Sequence, residues 1–138
     1  MNYLQSIMIV DDSSVDRFII AKTIQKIDIP NQIIEAESGI EALKIIKAAS
    51  EGSLTMPNLI FLDLNMPAVD GIDVLREIKQ NHSHLLRKTR IVMISTVKNE
   101  EKKRITLSYP NVLDFLIKPI SLAQISGLIS QVGYTKAS

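Results

Sequence analysis

The feature that most limits what this chain can fold into is a repeated switch between two apolar patterns. Short continuous runs, Ser6–Val10 (SIMIV), Gln32–Ala36 (QIIEA), Asn58–Leu62 (NLIFL), Arg90–Ile94 (RIVMI) and Val112–Ile117 (VLDFLI), have strand length and are rich in Ile, Val, Leu and Phe. Helix signals lie between them. Ser13–Ile27 places Val15, Phe18, Ile19 and Ile24 broadly on one side, and Ser38 with Glu41 forms a capping box ahead of EALKIIKAA. Gly71–Gln80 repeats the spacing, Lys98–Leu107 reads as a charged helix, and Ser121–Val132 closes the chain. Parallel strands need a crossover between them, and continuous apolar strands are covered on both faces, so the class is a doubly wound α/β fold with a parallel sheet. The connections Ser50–Pro57 and Asn81–Thr89 read as surface loops, the second with room for an extension of the preceding helix or a short extra turn.

With 138 residues the chain has room for one core, and 46% hydrophobic with 22% charged residues is an ordinary globular balance. A single domain over 1–138 is expected. The formal net charge of +1 supplies no general field for nucleic acid or an anionic membrane. The absence of cysteine excludes a disulfide framework, thiolate metal sites and a cysteine nucleophile. The start, MNYLQSIMIVDD, has neither the basic flank nor the cleavage site of a signal peptide, so the cytoplasm is the expected location.

Four of the strands run into reactive side chains: the first into Asp11-Asp12, the third into Asp63, the fourth into Ser95-Thr96 and the fifth into Lys118-Pro119. In an open parallel sheet the carboxyl ends of the strands share one edge, where ligands bind at the point of reversed winding. These groups should therefore meet. Converging carboxylates repel by roughly 4 kcal/mol per pair at ~4 Å and an effective dielectric near 20. Lys118 offsets part of this, and a hard divalent cation such as Mg²⁺, which prefers oxygen ligands, offsets more. A metal and an ammonium beside a carboxylate suit phosphoryl transfer, which depends on positioning and on charge neutralisation, with Asp63 attacking phosphorus. Each part also has a plain structural reading. Asp12 or Ser13 could cap the first helix, Ser95 or Thr96 could open a loop, Lys-Pro could end a strand, and Phe115 could be core.

The text IMIVDDS, EAESGIEAL, LIFLDLNMPAVDG, IVMIST and FLIKPI, in that order, resembles the receiver domain of two-component response regulators, the CheY-like family. The resemblance implies a flavodoxin-like sheet in the order 2-1-3-4-5 and an aspartate that takes phosphate from a phosphohistidine on a histidine kinase or a histidine phosphotransfer protein. Matched position by position, it makes Asp63 the acceptor, Asp12 a direct Mg²⁺ ligand, Asp11 a ligand through water, and Asn65 a ligand through its backbone carbonyl. Ser95 becomes the switch hydroxyl, Thr96 a backbone contact in catalysis, Lys118 the phosphate-binding lysine, and Phe115 the switch aromatic. Pro119 matches a proline whose preceding bond is typically cis, and Pro67 with Gly71 shapes the loop after the acceptor.

The implied output is a changed surface on the fourth helix, fifth strand and fifth helix, read by a downstream protein that the sequence does not name. The chain ends about one helix after Lys118-Pro119, so no output domain and no direct nucleic-acid or membrane binding are expected. No reaction beyond its own phosphorylation and dephosphorylation is expected either. A homodimer through the last two helices stays open. Three departures from the family pattern stand out: β-branched Thr96 after the switch hydroxyl, apolar Val97 next to it, and SYPNVLD in place of a Gly-Ala pair. Two other readings are a haloacid-dehalogenase-like phosphohydrolase, which needs an Asp where Asn65 stands, and a degenerate receiver that only binds.

Overall fold

The computed structural model describes residues 6–27, 32–84 and 88–132. Ten elements alternate along the chain: β1 (Ser6–Val10), α1 (Ser14–Gln25), β2 (Gln32–Ala36), α2 (Gly39–Ser50), β3 (Leu59–Asp63), α3 (Gly71–Asn81), β4 (Arg90–Ser95), α4 (Glu100–Leu107), β5 (Val112–Ile117) and α5 (Leu122–Gln131). All strand pairs are parallel, in the order β2-β1-β3-β4-β5. The expected class and strand order are both found. β3 and β4 each run one residue further than the apolar runs indicate, which makes Asp63 and Ser95 the last residues of their strands.

Alternation along the central strands divides the core. Met8, Val10, Ile60, Leu62, Met93 and Phe115 pack on the side covered by α2 and α3, with Ala42, Ile46, Val74, Leu75 and Ile78. Ile7, Ile9, Phe61, Val92, Ile94 and Leu116 face α1 and α5, through Ile20, Ile24, Ile125, Leu128 and Ile129. Burial on both faces explains why the central strands lack polar alternation. β2 is an edge strand and does carry exposed Gln32 and Glu35.

The first helix departs from the sequence expectation. Ile20 and Ile24 are buried, while Val15, Phe18 and Ile19 are 64%, 60% and 45% exposed. The apolar stripe is wider than the surface the sheet and α5 cover, and Lys22 lies over the Phe18 ring, 5.5 Å from its centroid. The helix is capped by Ser13, whose hydroxyl accepts from Asp16 N, so of the two candidate caps Ser13 is the one used. At α2 only half of the expected capping box forms: Ser38 accepts from Glu41 N, but the Glu41 carboxylate takes the N–H of Glu37 instead of that of Ser38. In place of the Gly-Ala pair, buried Asn111 accepts the Ile91 N–H, and the β4–β5 register shifts between Ile91 and Val92.

The loop after β3 is closed by Gly71 N donating to Leu64 O at 3.0 Å. A Cβ on Gly71 would lie 2.6 Å from the Asp63 carbonyl oxygen and 2.9 Å from Met93 Cε, so only glycine allows α3 to start this close to β3. Within the loop Val69 N donates to Pro67 O around Ala68, which has φ of 65°, a γ-turn in its strained positive-φ form. Gly71→Ala should therefore cost about 1–3 kcal/mol of unfolding free energy, and Ala68→Gly should add about 1 kcal/mol. Urea denaturation of the two variants checks both.

Candidate functional site

The carboxyl edge of the sheet gathers the reactive residues. β1 and β3 are adjacent, with Val10 opposite Leu62, so the residues that follow, Asp11 and Asp63, stand side by side. This is where the chain order reverses, since β2 lies on one side of β1 and β3 on the other. Carboxylate oxygens of Asp11, Asp12 and Asp63 lie within 4.8 Å of one another. Asp11 is fully buried, Asp63 is 4% exposed and Asp12 is open to solvent.

Each buried carboxylate is held by its own loop. Asp11 Oδ1 accepts from Ser13 N at 2.9 Å, and Asp63 Oδ1 from Asn65 N at 3.4 Å. Lys118 follows β5, its N–H donating to Ser95 O, and its side chain reaches across the edge. Its Nζ donates to Asp11 Oδ2 at 2.6 Å and to Asp16 Oδ2 at 2.9 Å, and it is 3.8 Å from Asp63 Oδ2. The ammonium is thus shared with Asp11 and Asp16 first, not with Asp63. The Lys118–Pro119 bond is cis.

Asp16 and Arg17 also belong to the site, although neither directly follows an apolar run. Arg17 donates through a terminal guanidinium N–H to the Asp11 carbonyl at 2.6 Å and through Nε to Glu35 at 3.0 Å, tying β2 to the end of β1. The available signal was that Asp16 and Arg17 fall in the first turn of a helix whose N-terminus adjoins the acidic pair. That signal does not tell which carboxylate a lysine 102 residues away will choose.

Burial pushes the Asp63 carboxyl up from 3.8 to about 7, and the Asp11 charge pushes it the same way; Lys118 and the Asn65 N–H oppose them. Burial also works against the Lys118 charge, but its hydrogen bonds to Asp11 and Asp16 and the Asp63 and Asp11 charges outweigh this and hold its pKa above the ordinary value. The site carries more negative charge than one lysine balances. Three carboxylates with converging oxygens and a surplus of negative charge are a donor set suited to a hard divalent cation, for which Asp11, Asp12 and Asp63 are the available ligands.

The remaining candidates are nearby. Ser95 is buried at the end of β4, and its hydroxyl is engaged within its own loop, donating to Val97 O at 2.8 Å and accepting from Val97 N at 3.2 Å. Thr96 and Val97 are exposed. Phe115 is 5% exposed and packed in the core on the α2 and α3 side, so the ring is already inward. A cavity of about 220 Å³ adjoins the site, lined by Ile19, Ile20, Thr96 and Pro119, with Asp16 and Lys118 among its walls.

Residues 7–130 match the response regulator receiver domain family. The chain is 30% identical over 125 residues to the chemotaxis protein CheY of Bacillus subtilis, spanning 91% of this chain and 94% of that protein. It is 34% identical over 96 residues to the response regulator Rcp1 of Synechocystis, spanning 69% of this chain and 64% of that protein. Its fold superposes on a crystal structure of a two-component response regulator from Cytophaga hutchinsonii with a TM-score of 0.86 at 19% identity, covering 94% and 96% of the two chains. The Mn²⁺-bound form of Rcp1 superposes with a TM-score of 0.73 at 27% identity, covering 97% and 99%.

A doubly wound sheet with acidic groups and a lysine at its switch point defines a phosphorylation-responsive signalling domain of two-component systems. The chain belongs to the response regulator receiver domain family. Among the described residues no helix is long and apolar enough to cross a membrane.

The Asp63 shift has a measurable consequence for the metal-free protein. Between its ordinary value and about 7 the folded state holds a proton that the unfolded chain releases. Stability from this group is therefore fully present below pH ~4 and lost as pH rises through ~7, by on the order of 4 kcal/mol. Asp63→Asn should remove this component, so in a chelator-containing urea series the variant should exceed wild type increasingly from pH 4 to 8.

Proposed function

We propose that this receiver domain takes a phosphoryl group on Asp63 from a phosphohistidine of a sensor histidine kinase or a histidine phosphotransfer protein, with Mg²⁺ as the working cation, and passes the signal on by protein contact. The observation that carries this is the convergence of Asp11, Asp12, Asp63 and Lys118 at one sheet edge. The Mn²⁺-bound form of Rcp1 supports a divalent cation. Asp11, through water, Asp12, Asp63 and the Asn65 backbone carbonyl would hold Mg²⁺, which when bound supplies charge neutralisation for the transferring phosphoryl group.

In the transfer an Asp63 carboxylate oxygen forms a bond to phosphorus as the phosphorus–nitrogen bond of the phosphohistidine breaks, its electron pair leaving on the imidazole. Lys118 and the Thr96 backbone N–H stabilise the phosphoryl oxygens. The Ser95 hydroxyl then leaves Val97 O and donates to a phosphoryl oxygen. Because Phe115 is already buried, the surface change begins in the Ser95–Val97 loop and spreads to α4, β5 and α5, with the ring adjusting inside the core. No other reaction is assigned. Asn65 stands where a phosphohydrolase would need an acid/base aspartate, and an amide cannot fill that role.

Exposed Ile19 lines the cavity beside Asp16 and Lys118, and Val15 and Phe18 are exposed on the same helix. A phosphodonor protein docks there in this reading. Mg²⁺ and acetyl phosphate should label wild type and not Asp63→Asn, as read by intact-protein mass. Phe18→Ala with Ile19→Ala should slow transfer from a phosphorylated donor protein by about 10-fold or more while leaving acetyl phosphate labelling within a factor of about two; equal slowing in both assays would place these residues elsewhere in the process.

The Val97 side chain, on a residue 53% exposed at the site's edge, offers no charge or hydrogen bond to orient water on the acyl phosphate. A dephosphorylation time course should show wild type losing label more slowly than Val97→Glu.

A further inference from the structure

Lys118 Nζ has three N–H donors, and two of them are committed. One goes to Asp11 and the other to Asp16, while Asp63 at 3.8 Å is beyond hydrogen-bond reach. Asp16 is firmly placed: it lies in the first turn of α1, and its backbone N–H is held by the Ser13 hydroxyl at 3.2 Å. Its carboxylate is outside the triad of converging oxygens, so binding of a cation by Asp11, Asp12 and Asp63 does not draw it away from Lys118. The Lys118 side chain is mostly buried, 11% exposed. For Lys118 to engage a phosphoryl oxygen on Asp63 it must move toward Asp63 against this restraint.

We propose that Asp16 is a positioning residue that holds Lys118 back from Asp63 and so holds down the affinity of the site for a phosphoryl anion. The inference rests on the reading of Asp63 as acceptor. Asp16 restrains the lysine in the unphosphorylated state and competes with the phosphoryl oxygens for it afterwards. Removing the carboxylate lets the ammonium move to Asp63, at the cost of one partly exposed ion pair.

The test uses the whole chain with Mg²⁺, as wild type, Asp16→Asn, Asp16→Ala and the charge control Glu37→Gln. Glu37 follows β2 near the same edge, is exposed, and makes no contact with Lys118. The probes are beryllofluoride, a small phosphoryl analogue, followed by ¹⁹F NMR, and acetyl phosphate labelling of Asp63. Both Asp16 variants should bind beryllofluoride about 3–10-fold more tightly, the range set by one such ion pair. Their labelling should be faster, and Glu37→Gln should stay within a factor of about two of wild type, the limit for a screened charge that makes no contact. A thermal midpoint for each variant registers any loss of folding, and the asparagine variant keeps the size of the native side chain. Unchanged or weaker binding in folded Asp16→Asn overturns the inference, as does an equal gain in Glu37→Gln, which would mean that only overall charge matters. A wild type that takes up neither probe overturns the acceptor assignment itself, and this inference with it.

Discussion

One ammonium among carboxylates is the interaction on which the site depends. Lys118 Nζ lies within 4 Å of Asp11, Asp16 and Asp63, groups supplied by β1, α1 and β3, while the lysine itself follows β5. Without it the edge would hold buried like charges with only backbone N–H groups to stabilise them, and such charges are costly to leave unpaired. The lysine does not cancel the charge. Burial first, and then the Asp11 charge, raise the Asp63 pKa, and the surplus of negative charge makes the cluster ready for a divalent cation. Stability has been given up where chemistry requires negative groups to converge.

The sheet makes that arrangement possible. β1 and β3 are buried on both faces, so their ends cannot drift apart without exposing the apolar residues of both core layers. The loop after Asp63 is fixed by three local devices: the Gly71 approach, the Leu64–Gly71 hydrogen bond, and a reciprocal cap at α3 in which Asp70 and Asp73 each accept the other's N–H. The β4 loop is of a different kind. Its hydroxyl is satisfied within the loop itself, by the backbone of the next residue but one.

Much of this is legible in the residue pattern alone. Short apolar runs alternating with helical spacing identify the fold, because burial on both faces of a parallel sheet leaves that pattern along the chain. The reactive residues are legible for the same reason: each directly follows an apolar run, and strand ends share an edge. Less legible is α1, where Val15, Phe18, Ile19 and Ile24 share one side by spacing, yet Ile24 is buried and the other three are exposed. Periodicity reports which residues share a side of a helix; it does not report how much of that side the rest of the protein covers. The half-formed box at α2 is a similar case, since the residue types allow two partners for Glu41 and the geometry selects Glu37.

By itself, the sequence determined the architecture, the strand order through its family resemblance, and the identity of the groups brought to the edge, because hydrophobic periodicity and strand-end chemistry are local properties. The tertiary structure alone decided how those groups divide their contacts. That Lys118 prefers Asp11 and Asp16 to Asp63, that Ser95 turns to Val97, and that Phe115 starts inside the core depend on distances of a few ångströms between segments far apart in the chain. Electrostatic and hydrogen-bond energies vary steeply over such distances, and spacing in sequence does not encode them.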